Sequence, residues 1–177
     1  MTRIFDILFS FLGLLFLSPI LLILITIGYF DTGSPIFRQE RVGKRKIRFR
    51  LMKFRSMHVN APSVATHLAS ATSITTFGSF LRKSKLDELP QLWNVFVGDM
   101  SLVGPRPNLF NQEELIMERD SRGVYSVRPG ITGLAQINKI DMSTPKLLAE
   151  TDSKMLKELN TLGYFKYIYH FWKRIWR

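Results

Sequence analysis

At 177 residues the chain supports one domain with a core of its own and is too short for two domains plus a membrane anchor. It contains no cysteine, which excludes a disulfide framework, a thiolate metal site and a cysteine nucleophile. Its formal charge of +11 is concentrated, with nine Lys or Arg between Arg38 and Arg55 against Glu40 alone.

From Ile7 to Phe30 no residue is charged. As one helix that length would reach roughly 36 Å, more than the roughly 30 Å hydrocarbon core of a bilayer. Ser18-Pro19 stands at its midpoint. The proline deletes a helical donor and frees the carbonyl of Leu15, which predicts a kink, and the Ser18 hydroxyl could return a hydrogen bond to that turn. Each arm of about 18 Å is long enough to enter a bilayer and turn back. Positive charge on both flanks, Arg3 before and the basic run after, gives no clean polarity and suits a re-entrant hairpin. A kinked transmembrane helix is the alternative; a signal peptide fits poorly, because Ile27-Gly28-Tyr29-Phe30 offers no small-residue cleavage site.

Asp31, Gly33 and Pro35 end the segment, and Ile36 to Val42 and Ile47 to Phe54 read as two strands around Gly43-Lys44-Arg45. Alternation in the second strand places Ile47, Phe49 and Leu51 inward and Arg48 and Arg50 outward. The basic face these strands carry suits nucleic acid, anionic headgroups or a phosphorylated small molecule. Its position just past an uncharged segment favours membrane lipid, and no nucleic acid partner is expected. His58 to Thr76 reads as a partly helical or mobile connection. Leu89, Leu92, Trp93 and Phe96 then recur at helical spacing and predict a short helix packed on the core. A second helical pattern covers Leu147 to Leu159, with Leu148, Met155 and Leu159 near one face. Over Tyr164 to Arg177 an aromatic side (Tyr164, Phe165, Ile168, Tyr169, Trp172, Ile175, Trp176) opposes a cationic one (Lys166, His170, Lys173, Arg174, Arg177). That pattern suits a helix in the headgroup layer or one packed on the domain.

Asp87 and Glu88 are adjacent, so they point apart and suit two roles rather than a proton-sharing dyad. One could attack phosphorus while the other holds Mg²⁺, which accepts one or two carboxylates plus substrate phosphates. Asp87 could instead cap the helix containing Pro90. A diphosphate beside carboxylates needs compensating cations. Lys53 and Arg55 precede the pair, Arg82, Lys83 and Lys85 flank it, and Arg106 is held between Pro105 and Pro107 with little freedom to lose on binding. Gly130 and Gly133 could form a tight turn whose backbone approaches a ligand near Arg128. His58, His67 and His170 lack metal-ligand spacing, and no Walker loop or dinucleotide fingerprint is present.

The KFRS stretch at Lys53 to Ser56, the LDELPQLWNV block, GDMSLVGPRP and VRPGITGLAQ together resemble the bacterial sugar transferase family over nearly the whole chain. The resemblance implies a minimal form of that family, without the additional membrane helices that larger members carry in front. It implies an α+β monotopic membrane protein: residues 1–32 as a membrane-inserted helix kinked at Ser18 and Pro19, and residues 33–177 as a catalytic domain on the cytoplasmic face of the bacterial inner membrane, with a β-hairpin and interfacial helices. The implied activity moves a sugar 1-phosphate from a UDP-sugar to polyprenyl phosphate such as undecaprenyl phosphate, opening a surface glycan pathway. Asp87 would be the nucleophile, and Glu88 with Asp87 would hold Mg²⁺. Lys53, Arg55, Arg82, Arg106 and Arg128 would contact phosphates. Direct one-step transfer, and a non-catalytic membrane adaptor with a basic face, are the rival readings. Downstream glycosyltransferases and a second copy of the chain are the remaining candidate partners. Asn138-Lys139 departs from the Gly-Arg often found there, which bears on sugar recognition.

Overall fold

The computed structural model describes residues 2–61 and 73–175. The hydrophobic segment is not one helix: α1 (Thr2–Phe16) and α2 (Ser18–Thr32) meet at Leu17 with a bend of 63°. Pro19 falls in the first turn of α2, where a missing N–H is tolerated, and the Ser18 hydroxyl donates to the Leu15 carbonyl at 2.7 Å. Among the described residues no single helix is long and apolar enough to cross a membrane; the bent pair meets that test only together.

The polarity of α1 is inverted. Asp6 and Ser10 are buried, whereas Ile4, Phe11, Leu15 and Phe16 are exposed. Asp6 can be buried because its Oδ1 accepts from the Ser101 hydroxyl (3.0 Å), the Leu102 N–H (2.9 Å) and the Tyr164 hydroxyl (2.9 Å). Arg3 donates to the carbonyls of Val95 and Phe96 in α4 (Gln91–Val97). In α2, Leu24 packs with Phe54 and Leu81, and Asp31 accepts from the Thr75 hydroxyl at 2.7 Å. Both ends of the bent pair are therefore fastened to the same body, and between them Leu24 packs into it while many other apolar side chains, up to Phe30 at 83% exposure, stay exposed.

β1 (Ile36–Val42) and β2 (Arg48–Phe54) pair antiparallel, Ile36 opposite Phe54 and Val42 opposite Arg48. Phe49 and Leu51 are buried and Arg48 and Arg50 exposed, as the alternation predicts. Ile47 departs from it at 67% exposure, because it belongs to the turn and precedes the strand. The turn itself is a 3₁₀ element, Lys44–Lys46, in which Arg45 and Lys46 take positive φ. Of the connection expected from His58 to Thr76, residues 62–72, with His67, lie outside the described residues.

α3 (Thr76–Ser84) starts at a Thr75 cap, whose hydroxyl accepts the Gly78 N–H at 2.9 Å. In α4 the core face is Gln91, Asn94 and Val95, not the apolar stripe the periodicity predicts. The reason is α1. Phe96 stacks towards Phe11 of that helix, Leu92 covers Gly13, and Trp93 is exposed. β3 (Ser101–Val103) and β4 (Gly130–Thr132) form a short parallel pair, Ser101 opposite Gly130 and Val103 opposite Thr132. Gly130 and Gly104 meet backbone to backbone: a Cβ on Gly130 would lie 2.0 Å from the Gly104 nitrogen. These glycines thus serve close approach of two peptide segments, and the turn towards a ligand expected at Gly130 and Gly133 is not what the backbone forms.

α5 (Glu113–Ser121), the one-turn α6 (Leu134–Ile137) and α7 (Pro145–Glu158) complete the domain around Leu115, Ala135 and Leu148. In α8 (Thr161–Ile175), Tyr164 and Tyr167 are buried with Val103 and Met155, so the helix packs on the domain through a face that includes Tyr167, a residue off the predicted aromatic side. Phe165 and Tyr169 remain exposed. Trp176 and Arg177, and the side chains of Trp172, Arg174 and Ile175, lie outside the described residues.

Candidate active site

Lys85 ends α3 in the left-handed conformation (φ 60°) and turns the chain sharply into the 3₁₀ element Leu86–Glu88. That turn carries Asp87 and Glu88 into the protein, where both are at least nine-tenths buried. The helix-cap alternative for Asp87 does not occur, because α4 is capped by Pro90 without a side-chain bond.

The two neighbours have different surroundings. Glu88 Oε1 accepts from Arg106 Nη2 at 2.7 Å. Burial pushes its carboxyl up, but Arg106, Lys53 and Lys85 together outweigh burial and hold it below the usual range. Asp87 has no hydrogen-bond donor among the described residues. Burial and then the Glu88 charge push its carboxyl above the usual range, against the pull of Lys53, Lys85 and Arg106. One carboxylate is thus locked in a charge-assisted pair while the other is available for a reaction partner.

Lys53 comes from β2. Burial, followed by the neighbouring Arg106 charge, pulls its ammonium down to about 8 despite Glu88. Arg41 is a residue that sequence reasoning missed. It stands opposite Phe49 in the hairpin, so it shares the inward face; it is 5% exposed and donates to the Pro107 carbonyl at 3.2 Å. Burial and Arg106 bring its guanidinium down to about 10. The inward parity of Phe49 across the pair is the signal that could have found it. Lys53, Lys85 and Arg106 thus act on both carboxylates, with Arg41 behind them, and positive charge exceeds negative at this spot. An arrangement of that kind is suited to an anion carrying more than one phosphate charge.

The remaining predicted cations are held in contacts of their own. Arg55 donates from Nε to the Ser34 carbonyl at 2.8 Å and lies over the Phe37 ring. Arg82 Nε donates to the Ser56 hydroxyl at 2.8 Å, and Arg128 Nε to the Gly98 carbonyl at 2.7 Å. Among the described residues no group of three His, Asp or Glu side chains is placed to hold a metal ion. Asp87 and Glu88 therefore fit Mg²⁺ only in its usual manner, as one or two carboxylates completed by substrate phosphates.

The profile of the bacterial sugar transferase family matches residues 1–176. The chain belongs to that family. Among curated members of known naming, the UDP-glucose:undecaprenyl-phosphate glucose-1-phosphate transferase of Klebsiella pneumoniae is 44% identical over 143 residues, covering 77% of this chain and 30% of that protein. The uncharacterized sugar transferase EpsL of Bacillus subtilis is 42% identical over 77% of this chain and 67% of its own length. The exopolysaccharide production protein PSS of Rhizobium leguminosarum is 36% identical over 94% of this chain and 87% of its own. The chain spans about a third of the length of several such bacterial sugar transferases, at 30–32% of each.

Proposed function

We propose that this bacterial sugar transferase moves a sugar 1-phosphate from a UDP-sugar to a polyprenyl phosphate such as undecaprenyl phosphate. The observation that carries the reading is the buried Asp87 beside an Arg106-paired Glu88, facing Lys53 and Lys85. An Asp87 carboxylate oxygen forms a bond to the sugar-proximal phosphorus, and the bond from that phosphorus to the bridging oxygen breaks, so UMP leaves with the electron pair. An oxygen of the lipid phosphate then bonds to the same phosphorus, and the Asp87 carboxylate is released. A two-step route suits a water-soluble donor and a lipid acceptor, since they need not share the site. Lys53, Lys85 and Arg106 neutralise the donor's phosphates. Bound Mg²⁺, held by Asp87, Glu88 and the donor, would supply further neutralisation.

The same reading places the protein on the cytoplasmic face of the inner membrane, with α1 and α2 as a re-entrant hairpin. Its support is the attachment of both hairpin ends to one body through Arg3, Asp6 and Asp31, and the outward apolar surface between them.

The deciding experiment incubates purified protein with candidate UDP-sugars and no lipid acceptor. UMP released in an amount equal to enzyme, with a phosphosugar mass adduct that is missing in Asp87→Asn, is the expected result. UMP release that strictly requires the lipid, with intersecting double-reciprocal lines, would replace the two-step route by direct transfer.

A further inference from the structure

We propose that the buried Asp152–Arg119 pair is a positioning device for Arg106. The pair lies outside the charge cluster, on α7 and α5, and both residues are almost completely buried. Asp152 Oδ2 accepts from Arg119 Nε at 3.0 Å and Nη2 at 2.7 Å, while Oδ1 has no partner among the described residues. Burial pushes the Asp152 carboxyl up against the pull of Arg119. An ion pair that is desolvated this fully, with one oxygen idle, contributes little net stability compared with apolar side chains of similar size.

What it does instead is aim a guanidinium. With Nε and Nη2 fixed on Asp152, Nη1 donates at 2.9 Å to the carbonyl of Arg106 and at 2.9 Å to Asn108 Oδ1, where the Tyr125 hydroxyl also donates at 3.1 Å. The turn that follows β3 is therefore held at each of its carbonyls by a different element. Gly130 N–H meets Pro105 at 2.8 Å, Arg119 meets Arg106, and Arg41 meets Pro107 at 3.2 Å. The prolines restrict φ, and the donors fix the peptide planes, so the Arg106 side chain leaves the turn in one direction, towards Glu88. Among the described residues it is Arg119 that holds the carbonyl of Arg106 itself, and Asp152 fixes the plane of that guanidinium.

Two variants test this. Arg119→Met with Asp152→Leu replaces the pair by apolar side chains of similar bulk; Arg119→Lys keeps a charge against Asp152 but loses the planar fork. The expected result is a cooperatively folded variant whose melting temperature falls only modestly, since the Arg106 carbonyl loses its donor, with kcat/KM for UMP release from a UDP-sugar lower by roughly 10²-fold, as expected for a misplaced binding group. Faster amide exchange at Gly130 and Val42, which donate to the carbonyls of Pro105 and Asn108, should accompany it while the Phe49 and Leu51 amides keep the parent's rates. Parent-like turnover in a well-folded variant overturns the proposal, and so does failure of both variants to fold, which would make the pair structural. The kinetic arm rests on the transfer reading above. Should the parent protein release no UMP from any UDP-sugar, that reading falls by itself, and unchanged or faster exchange at Gly130 and Val42 decides the positioning role.

Discussion

Asp87 and Glu88 are adjacent in sequence and opposite in their effect on folding. The folded state raises the affinity of Asp87 for a proton, so its ionised form at neutral pH opposes folding, and that opposition is relieved as pH falls through the raised folded value. Glu88 is the reverse: its folded value is depressed, so its contribution is present above the unfolded value of 4.5 and is lost as pH falls through the folded one. Asp87→Asn is therefore expected to raise the melting temperature at pH 7 while abolishing the phosphosugar adduct, and Glu88→Gln to lower it; thermal melts of the two variants side by side check the sign. Lys53 sets a basic limb. Under the proposed mechanism kcat/KM for the donor half-reaction should fall on the acid side, as the raised Asp87 carboxyl that serves as nucleophile takes up a proton, and should fall again above about pH 8, as the Lys53 ammonium that binds phosphate is lost. Lys53→Arg, charged throughout, should remove the basic limb, which a pH series of UMP release reads directly. Stability moves the other way: from about pH 8 to 10.5 the unfolded chain still holds a proton the folded one has released, so folding strengthens. The acidic pair, Lys53 and Arg106 were named from the sequence, the pair on its resemblance to the family's block as much as on residue type, and the fold brings the four together. Arg41, Arg119 and Asp152 were not named, because a charged side chain in a strand or helix reads as solvated until its long-range partner is known.

At the scale of elements, hydrophobic periodicity located α4, α7, α8 and the hairpin but misassigned the buried face of α4, where α1 covers the apolar stripe and a polar residue takes over a backbone duty. That residue is Asn94. Its Oδ1 accepts from Met52 N–H at 2.9 Å and its Nδ2 donates to the Arg50 carbonyl at 2.8 Å, so a side chain on α4 continues the ladder along the open edge of β2. A local reading puts Asn on the wet side of an apolar helix; the pairing across 42 residues reverses that. Asn94→Ala leaves an N–H and a carbonyl of β2 without their partners and is expected to destabilise the domain by about 2 kcal/mol. A fall in melting temperature of roughly 4–8 °C would match that figure. Asp6 was equally invisible, since a lone acid at the head of an apolar segment looks like a flank and not a hub for three donors. The Ser18 to Leu15 bond, by contrast, was predictable to the atom, because proline chemistry is local.

For the molecule as a whole, the sequence pointed to a hairpin because both flanks are basic, and the structure adds that both ends grip one body. The chain has no cysteine, so single reporters are clean. Thr2→Cys and Lys44→Cys are both expected to react with a membrane-impermeant maleimide in inverted inner-membrane vesicles and neither in intact spheroplasts; labelling of Thr2→Cys from outside would establish a full crossing instead. The seam between Gly104 and Gly130 has a further consequence for anyone wishing to retarget the enzyme to a new sugar. A crowded side chain can usually be accommodated by trimming its neighbour, but here the atoms facing each missing Cβ belong to peptide groups, which no codon can shorten. Libraries built around the donor site should therefore hold these two positions constant, since no compensating change elsewhere would rescue an alanine at either one.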